Sequence, residues 1–355
     1  MGNASLSAAK EAKNDEFYTC YDDIARELNN YAKYFRGKVI YCNCDDHAGI
    51  GLGTPKSNFL KYFADNFESF GIKRVIATHY ERDGSSTMYV LDKDNTADGI
   101  ICSEDIEEIP LKGNGDFRSD ECIKLLKTAD IVVTNPPFSL FREYVAQLMQ
   151  YKKKFIIIGN DNCRTYKEIF PLIKNNKIWC GYNHVKRFLK PNGETQQFGN
   201  VGWYTNLLNN RRNEKIETGK KYYGYENMYP RYDNYDAINV DKTSDIPMDY
   251  DGVMGVPITF IDKYNPEQFE IVGLTSGRDE FEARPTKKYI NPLQINADES
   301  ISNGSKANTR ATLLLSEKPI GKIYYTASNA DGPLEIMYAR ILIKKKKGNK
   351  NGNAC

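Results

Sequence analysis

No apolar run in this 355-residue chain approaches the roughly eighteen residues that a membrane-spanning helix needs. The opening segment, MGNASLSAAKEAKNDEF, lacks the apolar stretch of a secretory signal, so a cytoplasmic protein is expected. Eight cysteines stand at positions 20, 42, 44, 102, 122, 163, 180 and 355, and none forms a Cys-x-x-Cys pair. Reduced thiols are therefore expected, and neither a disulfide framework nor a zinc site. No charge sign dominates: 49 basic and 47 acidic residues leave a net +2, which neither demands nor excludes a polyanionic partner. No repeat or long low-complexity linker is visible.

What is present describes a globular chain. Apolar residues make up 40% and charged residues 27%, and the length suits one large domain or two ordinary ones. The basic residues are clustered, at Lys152–Lys154, Lys186-Arg187, Arg211-Arg212, Lys220-Lys221 and Lys344–Lys347. A cluster of this kind is more often a solvated face than a phosphate contact. Several beyond residue 180 keep nucleic acid in view.

The first half alternates strands and helices. KVIYCNC (38–44), KRVIATHY (73–80), Ile131–Thr134 and KFIIIG (154–159) are apolar strand candidates. Between them, SNFLKYFADNFESFG starts at a plausible N-cap, Ser57, repeats apolar residues at helical spacing and stops at Gly71. Asp120–Lys127 and SLFREYVAQLMQ complete the helices, and Glu104 to Gly115 reads as irregular. Continuous apolar strands separated by amphipathic helices predict an α/β fold with a mostly parallel sheet, covered on both faces. In such a sheet ligands bind beyond the carboxyl ends of the strands. Asp45, the segment around His79, Asp116 and Asn135 all fall at such ends.

Beyond about residue 205 the texture changes. KKYYGYENMYPRYDNYDAINV is dense in tyrosine and turn residues, and MDYDGVMGVPITFIDKYNPEQFEIVG reads as short strands and turns. A first domain over 1–205 and a second over 206–355 are expected.

The most informative short segment is TNPPF (134–138), directly after a buried strand. An exocyclic amino group on a nucleobase is a poor nucleophile because its lone pair is delocalised into the ring. Two acceptors that take hydrogen bonds from that nitrogen localise the lone pair. Asn135 supplies a side-chain acceptor. Pro136 supplies a carbonyl, held outward because Pro137 disfavours the α region at 136. Phe138 offers a flat face to an extracted base. The electrophile would be an activated methyl group. A rigid strand-to-helix turn is the rival reading of the tetrapeptide alone; its position after a buried strand, with Asp116 ahead of it, favours the chemical one.

TNPPF resembles the catalytic motif of S-adenosylmethionine-dependent amino-group methyltransferases. The chain as a whole is similar to the EcoRI-type family of adenine-specific DNA methyltransferases. The resemblance is carried in order by NDEFYT (14–19), KVIYCNCDD (38–46), GDFRS (115–119), DIVVTNPPFSLF (130–141), WYTNL (203–207), YPRYDNYDAINV (229–240) and DYDGVMGVPITF (249–260), among other blocks. It covers nearly the whole chain, and its later blocks carry no generic methyltransferase signal.

The resemblance implies a Rossmann-like methyltransferase sheet with helices on both faces, plus a C-terminal mixed α/β target-recognition domain. It implies methyl transfer from S-adenosylmethionine to the 6-amino group of adenine in a short duplex DNA site by base flipping, as the modification half of a restriction–modification system. Phe17, Tyr18 and Thr19 would line the methionine end of the cofactor, Asp45 and Asp46 would close the first strand beside it, and Asp116 and Phe117 would meet its adenine. Asn135, Pro136, Pro137 and Phe138 would hold the target base, with Trp203 as a second stacking aromatic. Trp203 is equally plausible as core. Arg211, Arg212, Lys220 and Lys221 are candidate DNA contacts. No metal and no obligate protein partner are expected, and a monomer is. The alternative reading is an RNA or protein-amide methyltransferase, which uses the same motif chemistry.

Two features depart from the usual pattern. A closely spaced glycine pair is missing after the first strand; Gly49, Gly51 and Gly53 come later, in HAGIGLGTPK. An acid for ribose recognition after the second strand is offered only by Glu81.

Overall fold

The computed structural model describes residues 18–44, 57–81, 84–93, 105–189, 194–276 and 282–346. The chain divides into two compact units, Met1–Ile173 with Lys177–Asn209, and Lys174–Asn176 with Asn210–Cys355.

In the first unit the strands are β1 (Tyr18–Thr19), β2 (Val39–Asn43), β3 (Arg74–Thr78), β4 (Thr87–Asp92), β5 (Glu107–Pro110), β6 (Ile131–Thr134), β7 (Lys154–Asn160), β8 (Trp179–His184), β9 (Arg187–Leu189), β10 (Thr195–Gln197) and β11 (Val201–Thr205). The principal helices are α1 (Tyr21–Leu28), α2 (Asn58–Asp65), α3 (Asp120–Thr128) and α4 (Phe141–Gln150). Ser57 caps α2, its hydroxyl accepting from the Leu60 N–H at 3.1 Å. Gly71, at φ +64°, ends the helical turn that follows, a conformation in which a side chain would be strained. Ser119 caps α3 in the same way as Ser57 caps α2.

Eight strands form one sheet in the order β5-β4-β3-β2-β6-β7-β11-β8. The central pairs β3-β2, β2-β6 and β6-β7 are parallel. The four outer pairs are antiparallel. The expectation of a mostly parallel sheet is thus corrected: the parallel part is confined to the centre. The reason lies in the connections, since residues 79–86 are too few for the crossover that a parallel neighbour requires. The segment expected to be irregular, 104–115, contains edge strand β5.

Alternation along β2 sends side chains to both faces. Ile40 and Cys42 enter a core built with Ile24 and Leu28 of α1 and Phe59, Leu60 and Phe63 of α2. Tyr41 and Asn43 face the other way. Tyr41 is buried with its hydroxyl bonded to Thr78 at 3.0 Å, and Asn43 is engaged by α4. Helices therefore cover both faces of the central strands. A small antiparallel sheet, β1-β9-β10, adjoins the same core through Phe188.

The second unit has two sheets. One has the order β12-β13-β20-β14, from Ile238–Asn239, Met254–Pro257, Arg340–Lys345 and Phe269–Leu274. The other has the order β16-β15-β18-β19-β17, from Ile301–Asn303, Leu293–Ile295, Tyr324–Thr326, Leu334–Ile336 and Thr312–Leu314. Among the described residues from 210 on, helical structure consists of short 3-10 turns only, which corrects the expectation of a mixed α/β second region. No helix among the described residues is long and apolar enough to cross a membrane.

Candidate active site

Strand β2 is first in the chain among the central parallel strands, and its neighbours β3 and β6 lie on opposite sides of it. The strand order reverses between β2 and β6, which is where an open α/β sheet leaves a crevice at its carboxyl edge. The two strand ends are tied there: the Thr134 hydroxyl donates to the carbonyl of Asn43. The next residue after Thr134 is Asn135. The NPPF segment therefore occupies the switch point itself.

Local backbone chemistry shapes this segment. Pro137 is extended, at φ −55° and ψ 126°, and a 3-10 turn over Phe138–Leu140 follows, closed by Leu140 N–H to the Pro137 carbonyl at 3.0 Å. The turn runs into α4. Asn135 is half-buried, Pro136 is buried, and Pro137 and Phe138 are half-buried.

Phe138 meets Phe188 of β9 edge to face, with ring centroids 6.3 Å apart. Phe188 in turn meets Phe198 at 5.4 Å. On β1, Thr19 stands opposite Phe188 in register. Tyr18 and Thr19 are thus brought against the strand that carries Phe138's neighbour. Thr19 is anchored by Asn58, whose amide donates to its carbonyl at 2.8 Å. Its side-chain hydroxyl is buried and has no hydrogen-bond partner among the described residues.

The GDFRS segment docks at the end of β3. Gly115 adopts φ +75°, and a Cβ there would lie 1.8 Å from the His79 carbonyl, so only glycine permits this approach. The Glu81 N–H donates to the Asn114 carbonyl at 2.8 Å, which brings the two segments together. Asp116 is half-buried, and its carboxylate takes three hydrogen bonds from Arg118: the backbone N–H at 2.9 Å and guanidinium nitrogens at 2.9 and 2.6 Å. Those bonds hold its carboxyl below the ordinary carboxylate range, against a smaller opposing effect of burial.

One helix supports both segments. The Tyr144 hydroxyl of α4 donates to Asn43 Oδ1 at the end of β2, and its ring meets Phe117 edge-on at 5.1 Å. Gln147, one turn on, donates to the Phe117 carbonyl at 3.0 Å. Since α4 grows directly out of the NPPF turn, the position of Asp116 is tied to that of Asn135.

The expected site residues are distributed unevenly. Tyr18, Thr19, Asp116 and Asn135 to Phe138 lie at this edge of the sheet. Phe117 is also here, 4% exposed and packed edge-on against Tyr144. Phe17, Asp45, Asp46 and the Gly49–Gly53 loop lie outside the described residues. Trp203 is 1% exposed within the core, its ring against Phe59 at 6.1 Å, the placement that the core alternative describes. In the second unit, Arg211 and Arg212 are half-buried. Arg212 donates to Asn176 at 2.7 Å, whereas Lys220 and Lys221 are exposed.

Sequence reasoning missed Asn43, Tyr144, Phe188 and Phe198. It also missed Asp161, which follows β7 at the same edge and accepts from Arg164 and Tyr204, each at 2.8 Å. A hydroxyl on an otherwise apolar helical face was the available clue for Tyr144. Nothing local distinguishes the two phenylalanines, which acquire their place only when β9 pairs with β1.

Comparison with known proteins adds to this geometry. The family described as "Adenine-specific methyltransferase EcoRI" matches residues 5–346. The chain is 48% identical over 307 residues to the Type II methyltransferase M.EcoRI of Escherichia coli, covering 78% of this chain and 91% of that protein. It is 39% identical over 286 residues to the Type II methyltransferase M.MpnI of Mycoplasma pneumoniae, covering 75% and 84%. The corresponding protein M.MgeORF184P of Mycoplasma genitalium is 38% identical over 286 residues, with coverage of 75% and 85%. No solved structure matches.

Proposed function

The chain belongs to the EcoRI family of adenine-specific methyltransferases, and on that premise we propose how its residues divide the work of methylating DNA. It is an adenine-specific DNA methyltransferase. We infer that it acts on the 6-amino group of an adenine flipped out of a short duplex site, within a Rossmann-like first unit. The second unit would recognise that site. The names of its relatives support a role as the modification half of a restriction–modification system.

The observation that carries this reading is the placement of NPPF at the switch point, with Thr19 and Asp116 on the same edge. In the proposed complex Asn135 Oδ1 and the Pro136 carbonyl accept the two hydrogens of the target amino group. That draws the lone pair out of the ring and aims it. Neither acceptor is a base at neutral pH, so the proton released on methylation passes to water. Phe138 stacks on the extracted base, its ring braced by Phe188.

The residues present suit S-adenosylmethionine. A buried hydroxyl on Thr19 with no partner among the described residues calls for a polar group beside it. Asp116, ionised and still able to accept, suits the amino group of the cofactor's adenine. When bound, S-adenosylmethionine supplies a methyl group already activated by its sulfonium, so no water need be ionised.

The test offers the protein radiolabelled S-adenosylmethionine with plasmid DNA, total RNA and a protein lysate in parallel. Label is expected in the DNA alone, as N6-methyladenine at a short repeated site mapped by methylation-sensitive sequencing. Label in RNA or protein, with DNA unmodified, would replace this reading with the alternative.

A further inference from the structure

The second unit carries a loop whose chemistry is not explained by packing. Within Lys220–Met228 (KKYYGYENM), Tyr223 is 64% exposed, Tyr225 is 54% exposed and Met228 is 60% exposed. Lys220 and Lys221 are exposed beside them. Leaving two aromatic rings and a methionine in water forgoes the burial that the rest of the core achieves, and a cluster of this kind marks a contact surface.

The loop is nevertheless held firmly. Tyr222, between the exposed residues, packs at a tilt against Tyr250 with centroids 4.4 Å apart, and against Tyr229 at 5.9 Å. Its N–H donates to Asp249 at 2.6 Å, and the Met248 N–H donates to the Lys220 carbonyl at 2.8 Å. Successive turns are closed by Tyr225 N–H to the Tyr222 carbonyl and by Met228 N–H to the Tyr225 carbonyl. Gly224, at φ +87°, makes the left-handed bend between the two exposed rings. Exposed apolar side chains on a fixed backbone cost little further entropy on binding.

Charge selects the partner. Two acids near the loop are turned onto its own backbone, Asp249 on Tyr222 N–H and Glu226 on Gly224 N–H at 3.0 Å, and Asp249 also lies within electrostatic reach of Lys221. Lys220 and Lys221 remain at the surface. Lysines beside outward-facing aromatics suit a phosphate backbone together with the faces of bases.

We infer that the 220–228 loop is a DNA-contacting element of the enzyme, in which Lys220 and Lys221 hold phosphates while Tyr223 and Tyr225 pack on bases unstacked at the recognised site. This rests on the DNA reading above and adds a division of roles. Phosphate contact serves any duplex, whereas the rings find a base face only where the duplex is opened.

The experiment measures binding of full-length protein to two 30-base-pair duplexes by fluorescence anisotropy over a range of salt. One duplex carries the site mapped by methylation sequencing, and the other carries that site with one base pair changed. Tyr223→Ala and Tyr225→Ala are each expected to weaken binding to the site about tenfold, as for one lost aromatic–base contact. Affinity for the altered duplex and the salt slope should stay as in wild type, and Tyr223→Phe and Tyr225→Phe should retain wild-type binding. Lys220→Ala and Lys221→Ala should weaken both duplexes alike and flatten the slope by about one each.

S-adenosylmethionine affinity by calorimetry and melting temperature serve as folding controls and should not change. If wild type methylates its site but the tyrosine variants bind it undiminished, the inference falls and the functional reading stands. A change in self-association by ultracentrifugation, with DNA binding intact, would make the loop an interface between copies and would likewise overturn it. Failure of wild type to methylate DNA at all would sink the functional reading instead.

Discussion

Phe138 and Phe188 meet at 88°, the edge of one ring directed at the face of the other. Phe138 belongs to the turn that would receive the base, and Phe188 is fully buried. The contact therefore transmits the rigidity of the core to a half-exposed ring. Phe138→Leu is expected to lower kcat/KM about tenfold, the size of one lost stacking partner. Phe138→Trp, which keeps a flat face, should recover most of that loss. Steady-state methylation of a single-site duplex measures both. Equal activity of the leucine and wild-type enzymes would remove Phe138 from the base site.

In the proposed complex Asn135→Ala removes one of two acceptors that would localise the lone pair. Methyl transfer should fall by at least about a hundredfold, the usual effect of deleting one preorganised polar contact. Affinity for S-adenosylmethionine, read by calorimetry, should remain, because in the proposed complex Asn135 acts on the methyl acceptor and not on the donor. Near wild-type turnover would show that the motif is only a turn.

Asp116 and Arg118 give a prediction with a sign. The folded carboxyl titrates below its free value because Arg118 bonds to it. Its contribution to stability is complete above the free value, about pH 4, and is lost as pH falls through the lower folded one. Urea melts of wild type and Arg118→Gln should therefore differ at pH 7 and converge in acid. Asp116→Ala should weaken cofactor binding by about 1.5–3 kcal/mol, with a smaller fall in the saturating rate than Asn135→Ala causes. Unchanged cofactor affinity would leave Asp116 as a brace for its own loop.

Trp203 separates packing from chemistry. Its removal as Trp203→Ala should cost about 3–5 kcal/mol of stability, as for other large aromatics in a core. Trp203→Phe should keep kcat near wild type, since the indole is buried in the core with its ring against Phe59. A collapse of kcat in the phenylalanine variant at unchanged melting temperature would return it to the base site.

The central strands were legible because burial on both faces writes a continuous apolar run, as in Ile131–Val133 and Phe155–Ile158. The helix signals of Ser57 and Gly71 were legible because capping and left-handed turns select few residue types. The flanking antiparallel strands were not. Strand β4 reads TMYVLD and β5 reads EEIP, short segments whose partners are fixed by connection length and not by local pattern. The placement of Trp203 was undecided for a related reason. A tryptophan in a strand reads alike whether its face meets a base or Phe59, and its burial emerges only when β11 pairs between β7 and β8.

Strand β5 bounds the large sheet among the described residues, and its composition bears on how the protein behaves in concentrated solution. An open strand edge is a template onto which another chain can add by hydrogen bonding. Here Glu107 and Glu108 are exposed along that edge, and Pro110 lacks an N–H to offer. At a net charge of only +2, long-range repulsion between molecules is weak, so resistance to edge-to-edge aggregation falls to these local features. Replacing the two glutamates with β-branched apolar residues would turn a passive boundary into a polymerisation site without touching a single catalytic atom.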